Sequence, residues 1–549
     1  MFSQFFFGFI LFRVVNAGGS IVPLDYGTFQ GASDGNLTKF LGIPFARPTA
    51  RFDLPRPPLP LRGLQNATAI GPTCPQQALT PIPGFGNINR TFISEACLTL
   101  DVFAPAAAHS RSKLPVLVWI FGGGYEIGGT SDTDVRPTVE RSIYLGEPVL
   151  IVVPNYRLNA FGFLAGKQVS DEGITNLGLR DQIFALEWVQ KHISAFGGDP
   201  ERVVLGGLSA GAVSTGFLLL NNNQNSANLF RGAFMVSGSP WPAPTVADGQ
   251  SYYDELVAAN NCTAAPNTLD CLRHVPFAAF MATVNSTPDV FSYRSLSLVW
   301  RPRVDGDVVV QNTFKSIAQG KFAKIPILSG DVDDEGTVFA LSSTNVTTDS
   351  QFIDYVQSNY LTAGSRDEVA KIVALYPQDP TLGAPFGTGS ANELTPEFKR
   401  IAAFGGDFLF TGIRRFLLQH ASKTQNTWSW LSKRGKSTPI VGAAHSSDMT
   451  LFFPTNATSA TDSVGIDSLI NFLNTLDPNV SDAPETSVHS RSNSTVFWPK
   501  WQTPSAKGST SLLTFSDPGV VNVTADNFRA EQINYLNSLH LSGVTVIGL

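Results

Sequence analysis

The 549-residue sequence has few cysteines, few charges and no long apolar segment, and each shortage excludes a class of protein. Four cysteines are too few for a small disulfide-stapled scaffold or a cysteine-rich zinc protein. Charged residues make up 15% of the chain and the net charge is −6, so we expect no binding to nucleic acid. No stretch approaches 18 uninterrupted apolar residues, so we expect no stable membrane span. A hydrophobic fraction of 43% predicts a large folded core.

The amino terminus predicts a secretory signal peptide at residues 1–17. Its phenylalanine-rich apolar segment is too short to span a bilayer and is followed by Val15, Asn16 and Ala17, which suit cleavage after Ala17. No Lys or Arg precedes the apolar run, so a buried N-terminal strand is the alternative. Ten Asn-x-Ser/Thr sequons also suit a secreted, glycosylated protein. They begin at Asn36, Asn66, Asn89, Asn261, Asn285, Asn345, Asn456, Asn479, Asn493 and Asn522.

The four cysteines should form disulfides if the chain is extracellular. Four cysteines allow three connectivities. Pairing sequence neighbours gives Cys74–Cys97 and Cys262–Cys271, which close two short loops. Free buried thiols are the alternative.

Strand-like apolar runs alternate with helical patterns along the chain. The run at 114–121 is nearly continuously apolar, as expected of a strand that is covered on both faces. Similar runs occur at 149–153, 202–205, 233–236, 325–328 and 427–431. Apolar residues from 179 to 193 recur at helical spacing between two of these runs. The alternation predicts an α/β fold with a mostly parallel sheet, whose chemistry gathers at the carboxyl ends of the strands.

A candidate nucleophile lies in Gly207-Leu208-Ser209-Ala210-Gly211. A short apolar strand precedes this segment and a helix-compatible stretch follows it at 213–220. Gly-x-Ser-x-Gly in that setting predicts a nucleophile elbow, in which a tight turn raises the serine hydroxyl above the sheet. The glycines on either side let neighbouring backbone approach the turn. An ordinary turn is the alternative.

A hydroxyl nucleophile also needs donors for the oxyanion that forms during attack. Three glycines, Gly122, Gly123 and Gly124, follow the strand at 114–121 and leave its backbone N–H groups unobstructed. We expect the N–H groups of Gly123, Gly124 and Ala210 to form the oxyanion hole. A dinucleotide-binding turn is disfavoured because the Gly-x-Gly-x-x-Gly spacing is missing.

The serine requires a base and an orienting acid, which in elbow-type hydrolases follow it in the order acid, then histidine. Of seven histidines, His445 fits best, because small residues flank it and it follows the apolar run at 427–431, whereas His420 lies on a helical pattern. The acid should follow the run at 325–328, where 331–337 contains four carboxylates. A calcium loop is the alternative there, but the distal Glu of an EF-hand is missing. Spacing alone does not choose between Asp334 and Glu335.

These segments together resemble the type-B carboxylesterase/lipase family, which includes the cholinesterases. The likeness is greatest to its fungal secreted branch, typified by Candida rugosa lipases. The serine signature of the family occurs at 196–211 and its second signature at 95–105. Further matches lie at 40–46, 120–128, 155–157, 330–337 and 445–448, so the resemblance covers nearly the whole chain.

The resemblance implies one α/β-hydrolase domain over residues 18–549, with helices flanking a central, mostly parallel sheet. It assigns the triad acid to Glu335, beside Ser209 and His445, and it matches the disulfide pairing given above. Two residues depart from the family pattern: Leu208 stands where a buried Glu is usual, and Ala96 stands where Asp is usual. Neither departure touches the reacting atoms, but both remove a charge nearby. No cofactor or metal is expected.

In this branch the Cys74–Cys97 loop forms the flap over the active site. The two cysteines are only 23 positions apart, and helix breakers interrupt the loop. These breakers are Pro75, Pro81, Pro83, Gly84 and Gly86. A short, helix-poor flap favours an open-mouthed secreted serine carboxylesterase that acts through an acyl-enzyme on short-acyl or aryl esters, feruloyl esters among them.

A lipase or sterol esterase acting on long-chain acyl esters is the main alternative. The phenylalanine-rich stretch 404–410 fits an acyl or aryl pocket and fits core packing equally well. A non-catalytic, cholinesterase-like adhesion protein is disfavoured because the triad is complete. The expected partner is a small-molecule or lipid ester, and the sequence does not indicate an oligomeric state.

Overall fold

A computed structural model describes residues 20–47, 50–83, 92–221, 228–455, 463–479, 496–503 and 510–544. The predicted signal peptide at 1–17, the flap glycines Gly84 and Gly86, and the sequons at Asn89, Asn456 and Asn493 lie outside these residues.

The regular elements alternate between strands and helices. Strands β1 to β14 span Ile21–Leu24, Gly27–Gln30, Ala32–Asp34, Leu37–Pro44, Leu64–Asn66, Thr99–Pro105, Leu114–Ile120, Leu150–Pro154, Gly198–Leu208, Gly232–Val236, Ile327–Val332, Thr427–Ser432, Ser511–Ser516 and Val520–Ala525. Helices α1 to α17 span Arg136–Tyr144, Asn159–Phe163, Lys167–Asp171, Leu177–His192, Ala210–Leu220, Gln250–Ala259, Thr268–His274, Phe277–Val284, Thr313–Ala318, Thr337–Ala340, Asp349–Asn359, Arg366–Leu375, Phe398–Gly406, Gly412–Ala421, Met449–Phe452, Val464–Thr475 and Ala530–Ser542. Short 3₁₀ turns lie at Ile193–Phe196, Ala247–Gly249 and Leu341–Ser343, and a π-helical turn lies at Asp407–Thr411.

One large sheet organises the described part of the chain. Its strand order is β14-β13-β12-β11-β10-β9-β7-β8-β6-β4-β3. The strands from β13 to β8 pair in parallel, and antiparallel strands extend the sheet at both sides. A small separate sheet has the order β1-β2-β5. The predicted α/β fold with a mostly parallel sheet is therefore confirmed.

Buried apolar side chains cover both faces of the central strands. In β7, Val116 and Val118 pack into one apolar cluster, whereas Leu117 and Trp119 pack into the other. This alternation follows from the two-residue period of a strand, which sends successive side chains to opposite faces. It explains why 114–121 is continuously apolar in the sequence, since each face lies under a layer of helices.

A fully buried group of ion pairs joins the carboxyl-terminal part of the chain to the sheet. Arg414 on α14 lies 2.6 Å from Asp331 on β11 and 2.8 Å from Asp526, which follows β14. Arg415 lies 2.7 Å from Asp526. Buried charges of this kind persist only when each one is paired, so removal of any member leaves an uncompensated charge in the core.

Both disulfides join the sequence neighbours, Cys74 to Cys97 and Cys262 to Cys271. The first closes the flap, and the second joins the middle of α7 to the loop after α6. In the part of the chain that the structure describes, no helix is both long enough and apolar enough to cross a membrane.

Candidate active site

A strained turn lies between β9 and α5. Ser209 occupies it with φ +53° and ψ −122°, a conformation that non-glycine residues rarely adopt. A Cβ at Gly207 would lie 2.4 Å from the carbonyl carbon of Gly211, and a Cβ at Gly211 would lie 2.0 Å from the carbonyl oxygen of Ile120. Only glycine therefore fits on either side of this turn, as a nucleophile elbow requires.

The carboxyl ends of three parallel strands meet beside Ser209. Leu208 at the end of β9 pairs with Val236 on β10, and Val236 pairs in turn with Gly330 on β11. The Ser209 N–H donates to the carbonyl oxygen of Val236 at 2.9 Å. The segment 331–337 follows Gly330 directly, so its carboxylates emerge at the same edge of the sheet.

Glu335 and His445 form a short, buried hydrogen bond. His445 Nδ1 lies 2.5 Å from Glu335 Oε2, and the other carboxylate oxygen, Oε1, accepts the Val332 N–H at 2.8 Å. The Glu335 side chain is 1% exposed and that of His445 is 10% exposed, so water competes little for this contact. A carboxylate on Nδ1 fixes the ring orientation and the tautomer, which leaves Nε2 as the proton acceptor.

Asp334 has different partners from its neighbour Glu335. Its carboxylate accepts the N–H groups of Phe386 and Ala443 at 2.8 Å each, and Lys436 Nζ lies 2.7 Å from both oxygens. Burial raises the pKa of Asp334, and the Lys436 ammonium opposes the rise. Asp334 thus holds the loop that carries His445 without touching the imidazole. The two carboxylates that spacing could not separate are separated by geometry.

The glycine loop after β7 takes up the left-handed backbone region at three successive residues. Gly123, Gly124 and Tyr125 have φ of +105°, +63° and +63°. A Cβ at Gly123 would lie 2.2 Å from the carbonyl oxygen of Ile127. A Cβ at Gly122 would lie 2.9 Å from Ser209 Cβ, so this loop lies directly against the serine. The loop is therefore next to the position where the carbonyl oxygen of an ester attacked by Ser209 would become an oxyanion.

Two buried acids near the site were not recognised from the sequence. Glu126 follows the glycine loop, and its Oε2 accepts the Val290 N–H at 2.8 Å. Asp448 Oδ2 accepts the Trp430 indole N–H at 3.0 Å. Burial raises the pKa of both carboxyls well above the ordinary value. Their signal in the sequence is weak, because an acid in a loop looks the same whether it is buried or exposed.

The first half of the flap is hydrogen-bonded to the body of the protein. Gln76 exchanges two hydrogen bonds with the backbone of Gly128, at 2.7 and 2.9 Å. The Gln77 N–H donates to the Glu126 carbonyl oxygen at 3.0 Å, and both the N–H and the hydroxyl of Thr80 donate to Asp289. In the described flap residues, 75–83 and 92–96, the backbone forms no helix.

Aromatic rings surround His445. The centroids of Phe339 and Phe410 each lie 5.0 Å from that of the imidazole, and the two phenylalanines stack 5.8 Å apart. Trp241 meets Phe410 edge-on at 5.8 Å. Phe410 lies in the π-helical turn, a feature frequent at functional sites. Within the stretch 404–410, Phe404 packs against core aromatic rings, as one of the two alternatives predicted.

The two departures from the family pattern lie beside the site without contacting the Glu335–His445 pair. Leu208 is half-buried and packs against the apolar cluster on one face of the sheet. Ala96 is exposed, and the adjacent Glu95 forms a two-fold ion pair with Arg51 at 2.8 and 3.0 Å. His420 lies in α14 with its Nδ1 2.9 Å from the Phe416 carbonyl oxygen, in agreement with the structural role expected for it.

Most of the predicted sequons that the structure describes are exposed. Asparagines are exposed at Asn36, Asn66, Asn261, Asn285, Asn345 and Asn522. Asn479 differs, because its half-buried Nδ2 donates to Asp477 Oδ1 at 2.8 Å and to the Trp498 carbonyl oxygen at 3.0 Å. A glycan on that nitrogen would replace one donated hydrogen, so the structure argues against occupancy at Asn479.

The fold is that of an α/β hydrolase. The sequence matches the model of the carboxylesterase family over residues 18–532. It is 36% identical to secreted lipase 1 of Botryotinia fuckeliana over 539 residues, which cover 93% of this chain and 91% of that one. It is 37% identical to lipase 4 of Diutina rugosa over 513 residues, covering 89% and 90% of the two chains.

A solved structure supports the fold assignment. The crystal structure of Aspergillus niger EstA aligns with a TM-score of 0.81 and 26% identity, covering 97% of this chain and 99% of that one. The chain therefore belongs to the carboxylesterase family, as the sequence motifs predicted. It is a carboxylic ester hydrolase.

Proposed function

We propose that the protein is a secreted serine carboxylesterase in which Ser209 is the nucleophile, His445 the general base and Glu335 the residue that orients His445. The observation that carries this proposal is the buried Glu335–His445 hydrogen bond at the sheet edge where the strained Ser209 turn lies. The N–H groups of Gly123, Gly124 and Ala210 are the proposed donors to the oxyanion. Loss of one such donor typically costs about 2.7–4 kcal/mol of transition-state stabilisation.

The proposed reaction has two balanced halves. His445 Nε2 takes the Ser209 proton while Oγ attacks the ester carbonyl, and the oxyanion hole holds the tetrahedral intermediate. The intermediate collapses to an acyl-enzyme, and the imidazolium returns the proton to the departing alcohol. Water then loses a proton to His445 and attacks the acyl-enzyme, which forms a second tetrahedral intermediate. This intermediate collapses while the imidazolium returns the proton to Ser209 Oγ, so the acid is released and both Ser209 and neutral His445 are restored. The Glu335 side chain stabilises the imidazolium in both halves.

We further propose that the enzyme acts on dissolved short-acyl or aryl esters without interfacial activation. The hydrogen bonds of Gln76, Gln77 and Thr80 hold the first half of the flap to the body, so a hinged opening would have to break them together. The rings of Phe339 and Phe410 beside His445 suit an aryl or compact acyl group. Lipase activity on long-chain esters is the second candidate, because relatives are named lipases.

Hydrolysis measured across the solubility limit of one ester tests the preference. For p-nitrophenyl butyrate below and above its saturation point, we expect a smooth saturation curve with no jump at the emulsion threshold. Negligible turnover of the dissolved ester, followed by a sharp rise once an interface forms, would support the lipase candidate. Ser209→Ala serves as the control for both regimes, because it should be inactive in each. Full activity in that variant would overturn the assignment of the nucleophile.

Secretion is proposed from independent features. The two disulfides suit an oxidising compartment, and the exposed sequons suit a glycosylated surface. Relatives named as secreted lipases support the same location. Amino-terminal sequencing of the protein recovered from culture medium should give Gly18 as the first residue. Retention of residues 1–17 in the mature protein would contradict the signal peptide.

A further inference from the structure

A group of buried donors without acceptors lies close to the catalytic serine. Within the part of the chain that the structure describes, no hydrogen-bond acceptor lies within reach of Arg301 Nε and Nη1, Trp241 Nε1 or Ser239 Oγ. All three side chains are buried. The third guanidinium nitrogen of Arg301, Nη2, donates to the Pro242 carbonyl oxygen at 2.6 Å, and the guanidinium lies 5.5 Å from the Trp241 ring.

The charge of Arg301 has no buried counterion. Among the described residues Arg301 forms no ion pair, and its electrostatic neighbours are the Arg303 cation and the Tyr125 phenol. Burial lowers the pKa of Arg301 to about 9, so the side chain is still a cation at neutral pH. An unpaired cation in a core is expensive, and a second cation nearby increases the cost. An anion that enters this region would be strongly favoured.

The group of unpaired donors is connected to the proposed catalytic centre in two ways. Trp241 contacts Phe410, which contacts His445. Trp241 also follows Gly238 by three residues, a span of at most about 10 Å, and a Cβ at Gly238 would lie 2.7 Å from the Ser209 carbonyl oxygen. Both connections place Trp241 and Ser239 next to residues that contact His445 and Ser209.

We propose that Arg301, together with Trp241 Nε1 and Ser239 Oγ, binds a carboxylate at the far end of the substrate's acyl group. The inference rests on the proposed function and deepens it, because it names half-esters of dicarboxylic acids as the substrate class. A guanidinium donates charge-assisted hydrogen bonds to carboxylate oxygens, and neither Nε nor Nη1 of Arg301 has an acceptor among the described residues. A purely alkyl acyl group would pack against the same donors without offering them an acceptor. Because buried unpaired donors are costly, the site should bind such a group much more weakly than one that ends in a carboxylate.

Two esters of equal chain length test the proposal. The p-nitrophenyl half-ester of suberic acid and p-nitrophenyl octanoate differ only in the terminal carboxylate. We expect the wild-type enzyme to have a higher kcat/KM for the half-ester. Arg301→Leu should lower the ratio of the two kcat/KM values by roughly ten- to a hundredfold, as expected when a hydrogen bond to a charged group is lost. Arg303→Met is the matched control, because Arg303 donates to the carbonyl oxygens of Val299 and Thr245. This variant removes a neighbouring buried charge but none of the proposed carboxylate donors, so it should lower the ratio much less than Arg301→Leu does.

A second variant and a binding measurement keep the test decisive. If Arg301→Leu does not fold, Trp241→Phe removes one donor, keeps the ring against Phe410 and should still lower the ratio. Calorimetric binding of monoethyl suberate to Ser209→Ala needs no turnover, so it separates this inference from the proposed catalytic roles. Binding that Arg301→Leu weakens at least tenfold supports the carboxylate site. The carboxylate site is overturned if the wild-type kcat/KM for the half-ester does not exceed that for the octanoate ester and if neither this ratio nor the binding of monoethyl suberate changes in the variants. Buried water would then be the partner of these donors.

Discussion

Replacement of Glu335 by Gln changes one atom of the proposed triad and should remove most of the activity. In the wild type, Glu335 Oε2 faces His445 Nδ1 at 2.5 Å while Oε1 accepts the Val332 N–H at 2.8 Å. Gln has one acceptor and one donor end, and both ends face groups that donate in the wild type. If the amide oxygen faces Val332, the amide NH₂ meets Nδ1 and forces the proton onto Nε2. If the amide oxygen faces His445, two donors collide at Val332.

Either orientation has a definite cost. A proton on Nε2 removes the base that Ser209 needs, and the corresponding change in a serine protease lowers kcat by about 10⁴. A loss of that size corresponds to about 5 kcal/mol of transition-state stabilisation. The donor collision would instead leave a buried N–H unsatisfied at about 1–3 kcal/mol. We therefore expect Glu335→Gln to fold and to lose activity by about three to four orders of magnitude.

The assay is kcat for p-nitrophenyl butyrate, normalised to the folded fraction measured by circular dichroism. Asp334→Asn is the matched control, because Asp334 contacts Lys436 and the backbone of Phe386 and Ala443 but not the imidazole. That variant should lose stability and keep kcat within about tenfold of wild type, since a misplaced loop costs less than a wrong tautomer. A greater loss of kcat in Asp334→Asn than in Glu335→Gln would refute the assignment of the acid.

Three further outcomes are expected. Gly123→Ala should reduce kcat by at least about a hundredfold, because its Cβ would lie 2.2 Å from a carbonyl oxygen. The control is Gly63→Ala, which is also at positive φ but has open space around it and should keep full activity. Equal kinetics in the two variants would contradict the proposed role of the Gly123 loop in the oxyanion hole. His540 is buried, and desolvation lowers its pKa to about 3. It therefore stays neutral in the folded state while the unfolded state takes up a proton below about pH 6.5, so stability should fall by up to about 1.4 kcal/mol per pH unit on acidification. His540→Gln should flatten this slope in chemical denaturation between pH 7 and 4, and parallel slopes would exclude the effect. Joint replacement of Cys74 and Cys97 by Ser should reduce the free energy of unfolding by about 3 kcal/mol, as measured in urea; an unchanged midpoint would show that the flap disulfide does not constrain the unfolded chain.

The central strands were predictable because burial on both faces removes polar residues from them. The runs at 114–121, 149–153 and 427–431 correspond to β7, β8 and β12 to within one residue at each end. The run at 202–205 marks only the middle of β9, which extends from Gly198 to Leu208. The antiparallel hairpin β13-β14 was not predicted, because four of the six residues of β14 are exposed and its sequence has no long apolar run.

Site residues were predictable where a sequence motif is required by the backbone geometry. They were not predictable where the hydrogen-bond partner of a side chain depends on the tertiary structure. The glycines around Ser209 are required by close backbone contacts, so they leave a pattern in the sequence. The choice between Asp334 and Glu335 depends on which carboxylate reaches His445, and spacing does not record that. The burial of Arg301 could not be predicted from the sequence, because an arginine in a loop is expected to be exposed to solvent.

Asp526 is synthesised well after the two arginines whose charges it neutralises. Asp526 lies near the end of the chain, yet it neutralises Arg414, which in turn holds Asp331 on the strand that leads to Glu335. Asp526 follows Arg414 and Arg415 by 112 and 111 positions, so both arginines of α14 lack their shared counterion until that part of the chain has been synthesised. We expect a nascent chain that does not yet contain Asp526 to be unable to hydrolyse esters.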